Sequence, residues 1–289
     1  DVDFLQDVPA VFGWLQHRTG LIHWKNGEAK EGNFVSKAEV VAELQRLATA
    51  YDGLEALPHY PPIAGRYYVN MSTERTDGSK LRELVGMFSP ATDLDGELIL
   101  ALCLSPFWGG RPGSNPMGCI TSDDGRGAGK STLAGSIANI CGGSIDVSPN
   151  EDISKLKERL LTPTSLKRRV VLLDNLKALK FSWGEFEGLL TAPQINGKQL
   201  YVGDGLRPNN LTWIATLNGA NFSEDIAQRA ILIKIKRQEY RPTFADDVNR
   251  FIDEHRQTII SDAIGILAGQ KKHLAKFSRW SEWERDVLA

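Results

Sequence analysis

The stretch Asp124-Gly125-Arg126-Gly127-Ala128-Gly129-Lys130-Ser131 has the residue types and spacing that point most directly to chemistry. Alternating glycines let successive backbone N–H groups curl inward around a polyphosphate. Lys130 supplies a positive charge for the β- and γ-phosphates, and Ser131 a hydroxyl for Mg²⁺. The expected nucleotide-binding set is therefore Gly125, Arg126, Gly127, Ala128, Gly129, Lys130, Ser131 and Thr132. The pattern G-x-x-x-x-G-K-[ST] asks for Gly where this chain has Asp124. Asp tolerates unusual backbone angles, and Gly125 takes the turn one place later. The competing reading is a Gly-rich strand-to-helix turn with an incidental Lys-Ser pair. The flanks favour the phosphate-binding loop (P-loop), because an apolar run at 117–121 precedes it and a helix begins near Lys130.

Such a site needs a second Mg²⁺ ligand, an Asp that closes a neighbouring apolar strand. Arg169-Val170-Val171-Leu172-Leu173-Asp174-Asn175 fits. Many buried strands end in Asp, so this signal gains its specificity only from lying downstream of the loop. Asn175 stands where many ATPases of this kind place a Glu to polarise the attacking water. An amide orients a water but cannot accept its proton. Either Asn175 performs that orientation, or a carboxylate such as Glu187 or Asp146 assists.

The elements that must position these groups are legible as periodicity. Short apolar runs at 117–121, 144–147, 169–173, 211–217 and 231–235 read as buried strands. Helical segments around 132–140, 153–161 and 183–190 separate several of them, which predicts an α/β fold with a mostly parallel sheet. Upstream, 79–88 and 95–104 read as helices, the second almost wholly buried by its composition. From Phe244 onward Ile252, Ile259, Ile260, Ile264 and Leu267 recur at helix spacing. Ser36-Lys37-Ala38-Glu39 is a capping box that opens an amphipathic helix. Pro58-His59-Tyr60-Pro61-Pro62 reads as a linker or sharp turn.

Composition sets the outer bounds. The 289 residues carry 42% hydrophobic and 24% charged side chains, which excludes wholesale disorder. The net charge of −2 excludes a uniformly basic nucleic-acid coat but leaves room for a local basic groove. Residues 1–60 hold nine acids against five Lys and Arg, so the remainder is slightly basic. No apolar stretch is long enough to span a bilayer, and no membrane partner is expected. The three cysteines match neither a disulfide framework nor a zinc site, which predicts a reducing, cytoplasmic location. The chain starts at Asp1 with no Met, basic n-region or cleavage signal, as expected of an excised segment rather than a processed secretory protein.

The order of motifs resembles the AAA+ ATPases, and the resemblance covers roughly residues 80–289. It implies that ATP is the nucleotide and that Lys130, Asp174 and Asn175 act on it together. It assigns Asn218, at the end of the 211–217 strand, as the sensor of the γ-phosphate or lytic water. It also implies that Arg229 is an arginine finger reaching a neighbouring subunit's ATP. The plainer readings are a polar residue opening a turn for Asn218 and a salt-bridged helix-end residue for Arg229. Between the Asp174 and Asn218 strands, residues 194–205 contain Asn196-Gly197, a strong two-residue hairpin turn signal. A hairpin placed before sensor 1 is similar to that of superfamily III and minichromosome-maintenance helicases, where it enters a central pore. Lys198, beside the expected turn, then binds nucleic-acid phosphate; the bland alternative is a solvated surface Lys.

The wider pattern looks like the helicase modules of primase-helicase-type proteins carried by phages, plasmids and integrated elements. The resemblance implies an AAA+ core at 79–240, an N-terminal accessory or linker region at 1–78 and a C-terminal helical region at 241–289. It further implies a homo-oligomer, most simply a hexameric ring, that hydrolyses ATP with Mg²⁺ and moves on single-stranded or forked DNA. A nucleotide-switched loader or adaptor that assembles on DNA or protein without unwinding is the alternative.

Other residues read as structural. The five His residues lack metal-ligand spacing, and no G-x-S-x-G elbow accompanies a Ser-His-Asp set. Phe107-Trp108 reads as a packed helix end. Lys155, Lys157, Arg159, Lys167, Arg168 and Arg169 read mostly as a solvated basic face.

Overall fold

The computed structural model describes residues 7–19, 36–70, 76–125, 127–148, 151–176, 183–199, 203–217, 228–239, 241–274 and 278–289. The chain divides into two compact units, Asp1–Leu54 with Gly65–Val69, and Glu55–Ala64 with Asn70–Ala289.

The smaller unit contains helices α1 (Val8–Thr19) and α2 (Lys37–Leu47), whose shared core is Val11, Phe12 and Val41. The capping box at the start of α2 is present. Ser36 Oγ accepts the Glu39 N–H at 3.1 Å, and Glu39 Oε2 accepts the Ser36 N–H at 2.7 Å. Two orphan amides are satisfied reciprocally, which fixes where the helix begins. Strands β1 (Gly53–Glu55) and β2 (Arg66–Tyr68) form a small two-stranded sheet.

The larger unit is an α/β layer structure around a five-stranded sheet. Helices α3 (Ser79–Gly86) and α4 (Asp93–Leu104) lead into β3 (Met117–Thr121) and α5 (Lys130–Ile140). Then come β4 (Ser144–Asp146), α6 (Ile153–Leu160), α7 (Pro163–Leu166), β5 (Val170–Leu176) and α8 (Trp183–Thr191). The hairpin strands β6 (Gln194–Gln199) and β7 (Gly203–Pro208) precede β8 (Thr212–Leu217), β9 (Ala230–Lys234) and the long helix α9 (Phe244–Leu267). A helical turn at Ser281–Trp283, continuing through Glu284–Leu288, closes the chain.

Every pairing in the sheet is parallel, in the order β4-β5-β8-β3-β9. The next strand of this sheet along the chain after the Asp174 strand, β8, therefore inserts between it and the P-loop strand. This is an α/β core built on a parallel sheet, with a hairpin before the sheet's fourth strand, as the sequence predicts. Strands buried on both faces read as continuous apolar runs, because alternate residues feed two different layers. Ile214 joins the core shared by α3, α4, α5 and α9, while Trp213, Ala215 and Leu217 join the opposite core with Leu156, Phe186 and Ile195.

A buried acid joins the two helices on one side of the sheet. Asp262 of α9 is fully buried and accepts the Gly78 and Leu81 N–H groups at 3.2 and 2.9 Å. The left-handed Gly78 offers no side-chain cap, so α9 supplies it in trans. The cysteines are free and buried, and burial pushes the thiols of Cys103 and Cys141 up to about 12.

Candidate nucleotide site

The loop between β3 and α5 has the backbone that its glycines anticipate. Gly125, Gly127 and Gly129 have φ of 73°, 81° and 88°, a region that side chains other than Gly rarely adopt. Among the described residues, and apart from chain neighbours, no atom lies within 4 Å of where a Cβ would sit on Gly125. The nearest to Gly127 is Arg237 Nη2 at 3.9 Å, and the nearest to Gly129 is Phe244 Cε1 at 3.4 Å. An open cradle thus lies in front of the N-terminus of α5, where backbone N–H groups and the helix dipole favour an anion. Ala128 is buried beneath it and Thr132 lies in the first helical turn. Arg126 lies outside the described residues.

Lys130 is buried and folds back so that its Nζ donates to Gly125 O at 2.5 Å. Burial, and secondarily the charge of Arg237, hold its ammonium below the ordinary lysine pKa. A cation kept at the floor of an anion-shaped cradle fits a phosphate ligand. The Ser131 hydroxyl donates to Asp174 Oδ1 at 2.7 Å, so the P-loop helix and β5 meet across the intervening β8. Both groups are exposed. One hydroxyl and one carboxylate suit Mg²⁺, which keeps several waters and takes its remaining ligands from phosphate. Among the described residues no group of three or more His, Cys, Asp or Glu forms an all-protein metal cage.

Nothing in the sequence singled out Thr216. It is buried on β8, donates its hydroxyl to Asp174 Oδ1 at 2.5 Å and accepts the Asn175 N–H at 2.7 Å. The strand carries two buried hydroxyls, Thr212 and Thr216, and the importance of the second depends on which strand lies beside β5. The register explains the geometry. Leu173 pairs with Ala215 and Leu176 with Leu217, so β5 carries one extra residue across Asp174-Asn175. This bulge turns Asn175 to φ 54°, a left-handed conformation that Asn accepts more readily than Glu. The position therefore has a local backbone reason to be Asn.

The remaining expected site residues lie elsewhere. Arg229 precedes β9, and its carbonyl accepts the Met117 N–H at 3.0 Å, so it stands at the opposite end of β3 from its own P-loop. Its guanidinium is half-buried and pairs with Glu187 at 3.2 Å. That places Glu187 away from Ser131 and Asp174. Asp146, on the edge strand β4, accepts from Ser144 Oγ at 2.6 Å. Asn218 lies outside the described residues, directly after Leu217.

The Asn-Gly turn expectation is corrected. Asn196 and Gly197 lie within β6, paired with Leu206 and Gly205, and the strand continues to Gln199. Gly197 is small because α6 packs on it: a Cβ there would lie 3.1 Å from Leu161 Cδ1 and 3.4 Å from Lys157 Cβ. A strand glycine here marks close backbone approach, not a turn. Lys198 is an exposed strand residue opposite Asp204.

Two arginines anchor the surroundings. Arg169, expected on a solvated face, is instead buried; it donates to Pro58 O, Leu57 O and Pro106 O and pairs with Glu55 at 2.9 Å. Arg207 of β7 donates to Leu160 O, Ser165 O and Arg168 O. The hairpin is thereby pinned to the carbonyl ends of α6 and α7, whose last carbonyls need donors.

No family model matches the sequence, and no curated protein matches it. Among solved structures, an apo form of the NrS-1 C-terminal region is similar, with 13% identity and a TM-score of 0.49 over 75% of this chain and 54% of that one. A JCV helicase with a bound acetamide compound is similar, with 13% identity and a TM-score of 0.42 over 73% of this chain and 61% of that one. The chain spans between half and two thirds of the length of these structures. No helix among the described residues is long and apolar enough to cross a membrane.

Proposed function

We propose that this chain is an AAA+-type ATPase module whose assembled form, a hexameric ring, moves on DNA as the helicase component of a mobile genetic element. The observation that carries the ATPase reading is the 2.7 Å contact between Ser131 and Asp174, which brings the P-loop hydroxyl and the β5 acid to one point in front of an open glycine cradle. Lys130 and the loop amides hold the phosphates, and Ser131 with Asp174 would hold Mg²⁺. When bound, that ion neutralises charge on the β- and γ-phosphates. Thr216 keeps the Asp174 carboxylate aimed at Ser131. Asn175 and Asn218 orient the attacking water. Arg229 serves the ATP of the next subunit, which suits its position at the far end of β3 from its own loop. Lys198 on each hairpin contacts the phosphates of a single strand.

The supporting experiment measures ATP turnover and unwinding of forked DNA by the purified chain across a concentration series. Turnover per subunit that climbs with assembly, together with strand separation, is the expected result. Flat turnover on dilution sinks the shared-site model. Asn175 favours a second reading, a nucleotide-held loader, because its amide accepts no proton and hydrolysis is then slow. DNA-dependent assembly with ATP but without unwinding would select that reading.

A further inference from the structure

Asp124, where a P-loop ordinarily has Gly, ties the loop to the residue that leaves β9. Its Oδ2 accepts the Arg237 backbone N–H at 2.7 Å, and its carbonyl accepts from Arg237 Nη2 at 3.1 Å. A second tie lies beside it, with Lys234 Nζ 3.3 Å from Asp123. The clasp leaves the Arg237 guanidinium next to the cradle, 3.9 Å from the Cβ position of Gly127. From these contacts we infer that Arg237 is a second phosphate-binding cation of this site, acting within its own subunit and positioned by Asp124.

The charge arrangement supports this. Two cations converge on one glycine loop, Lys130 through its bond to Gly125 O and Arg237 beside Gly127. A polyphosphate seated on the loop would face both positive charges. A guanidinium presents a planar fork of N–H donors suited to phosphate oxygens. The Asp124 carboxylate therefore does one thing that Gly cannot: it fixes the backbone of residue 237, while the main-chain carbonyl of residue 124 holds the guanidinium. Arg237 lies three residues past β9, and it reaches the loop because β9 lies beside β3.

The inference rests on the nucleotide reading above, and the test separates the two. A fluorescent ATP analogue is titrated into wild-type chain and into Arg237→Ala, Arg237→Lys and Asp124→Gly. Inorganic tripolyphosphate then competes for the site. Arg237→Ala should weaken the analogue and tripolyphosphate by a similar factor, about tenfold or more for a charge-assisted contact. Arg237→Lys should retain more affinity than Arg237→Ala, because it keeps the charge. Asp124→Gly should weaken binding in the same direction although it restores the usual loop residue. Arg237→Ala within twofold of wild type overturns the inference, as does a loss for the analogue with none for tripolyphosphate. Asp124→Gly at the wild-type level overturns the clasp. Wild-type chain that binds neither ligand overturns the nucleotide reading itself.

Discussion

Thr216 and Asp174 share a 2.5 Å hydroxyl–carboxylate hydrogen bond across neighbouring parallel strands, and the same Thr216 oxygen accepts the Asn175 N–H. The acid, the bulge and the central strand are thus one unit. Thr216→Val keeps the shape but removes both interactions, leaving a part-buried amide without its partner. Stability should fall by about 1–3 kcal/mol, and ATP turnover should fall with it as Asp174 loses its fixed aim. Thr216→Ser should recover most of both. Denaturant midpoints and steady-state hydrolysis check the pair.

Asn175 gives the complementary test. Its φ of 54° makes Glu a poor substitute. Asn175→Glu should lower stability by about 1 kcal/mol or more and leave hydrolysis no faster than wild type. Asn175→Gly should match or exceed wild-type stability. A large gain in turnover with Glu would show that the bulge places its carboxylate usefully after all.

What the sequence made legible follows from range. The P-loop and the capping box at Ser36 are local, encoded by contiguous residues with fixed spacing. The central strands were visible because burial on both faces leaves nearly unbroken apolar runs, as in β3, β5 and β8. Thr216, Arg207 and Arg237 were not visible, because their value lies in what another part of the chain brings to them. Gly197 shows the opposite error. Asn-Gly is a local turn signal, but the approach of α6 explains the glycine, and that approach is tertiary.

Lys130 should make nucleotide affinity depend on pH. Its ammonium is held below the ordinary lysine pKa in the free protein, and bound phosphate favours the charged form, raising it. Between those two values, binding takes up a proton. Affinity should therefore hold near neutrality and fall as pH rises through the free-state pKa. Lys130→Ala should abolish binding at every pH, whereas Lys130→Arg, if it binds, should show a flatter profile. Calorimetry in buffers of different ionisation enthalpy reads the proton uptake directly.

The Arg229–Glu187 pair separates structure from a role between subunits. Arg229→Ala should leave nucleotide affinity unchanged within about twofold, since the residue is remote from its own loop, yet remove hydrolysis that depends on assembly. Glu187→Gln removes the carboxylate that lies 3.2 Å from the half-buried guanidinium. It should lower stability on the order of 2 kcal/mol, between exposed and fully buried pairs, while keeping turnover. Equal losses of turnover in both variants would assign Arg229 to folding alone.

The hairpin provides the last contrast, because adjacent residues on β6 have opposite tasks. Gly197 faces α6, so Gly197→Ala should destabilise by about 1–3 kcal/mol through overpacking, without altering the salt dependence of DNA binding. Lys198 is exposed opposite Asp204, so Lys198→Ala should leave stability within about 0.5 kcal/mol. If each hairpin neutralises one phosphate of a single strand, Lys198→Ala should reduce the slope of log affinity against log salt by about 0.7 per engaged subunit. Lys198→Arg should restore it. A salt series with labelled single-stranded DNA measures these slopes, and an unchanged slope for Lys198→Ala removes this residue from the DNA path.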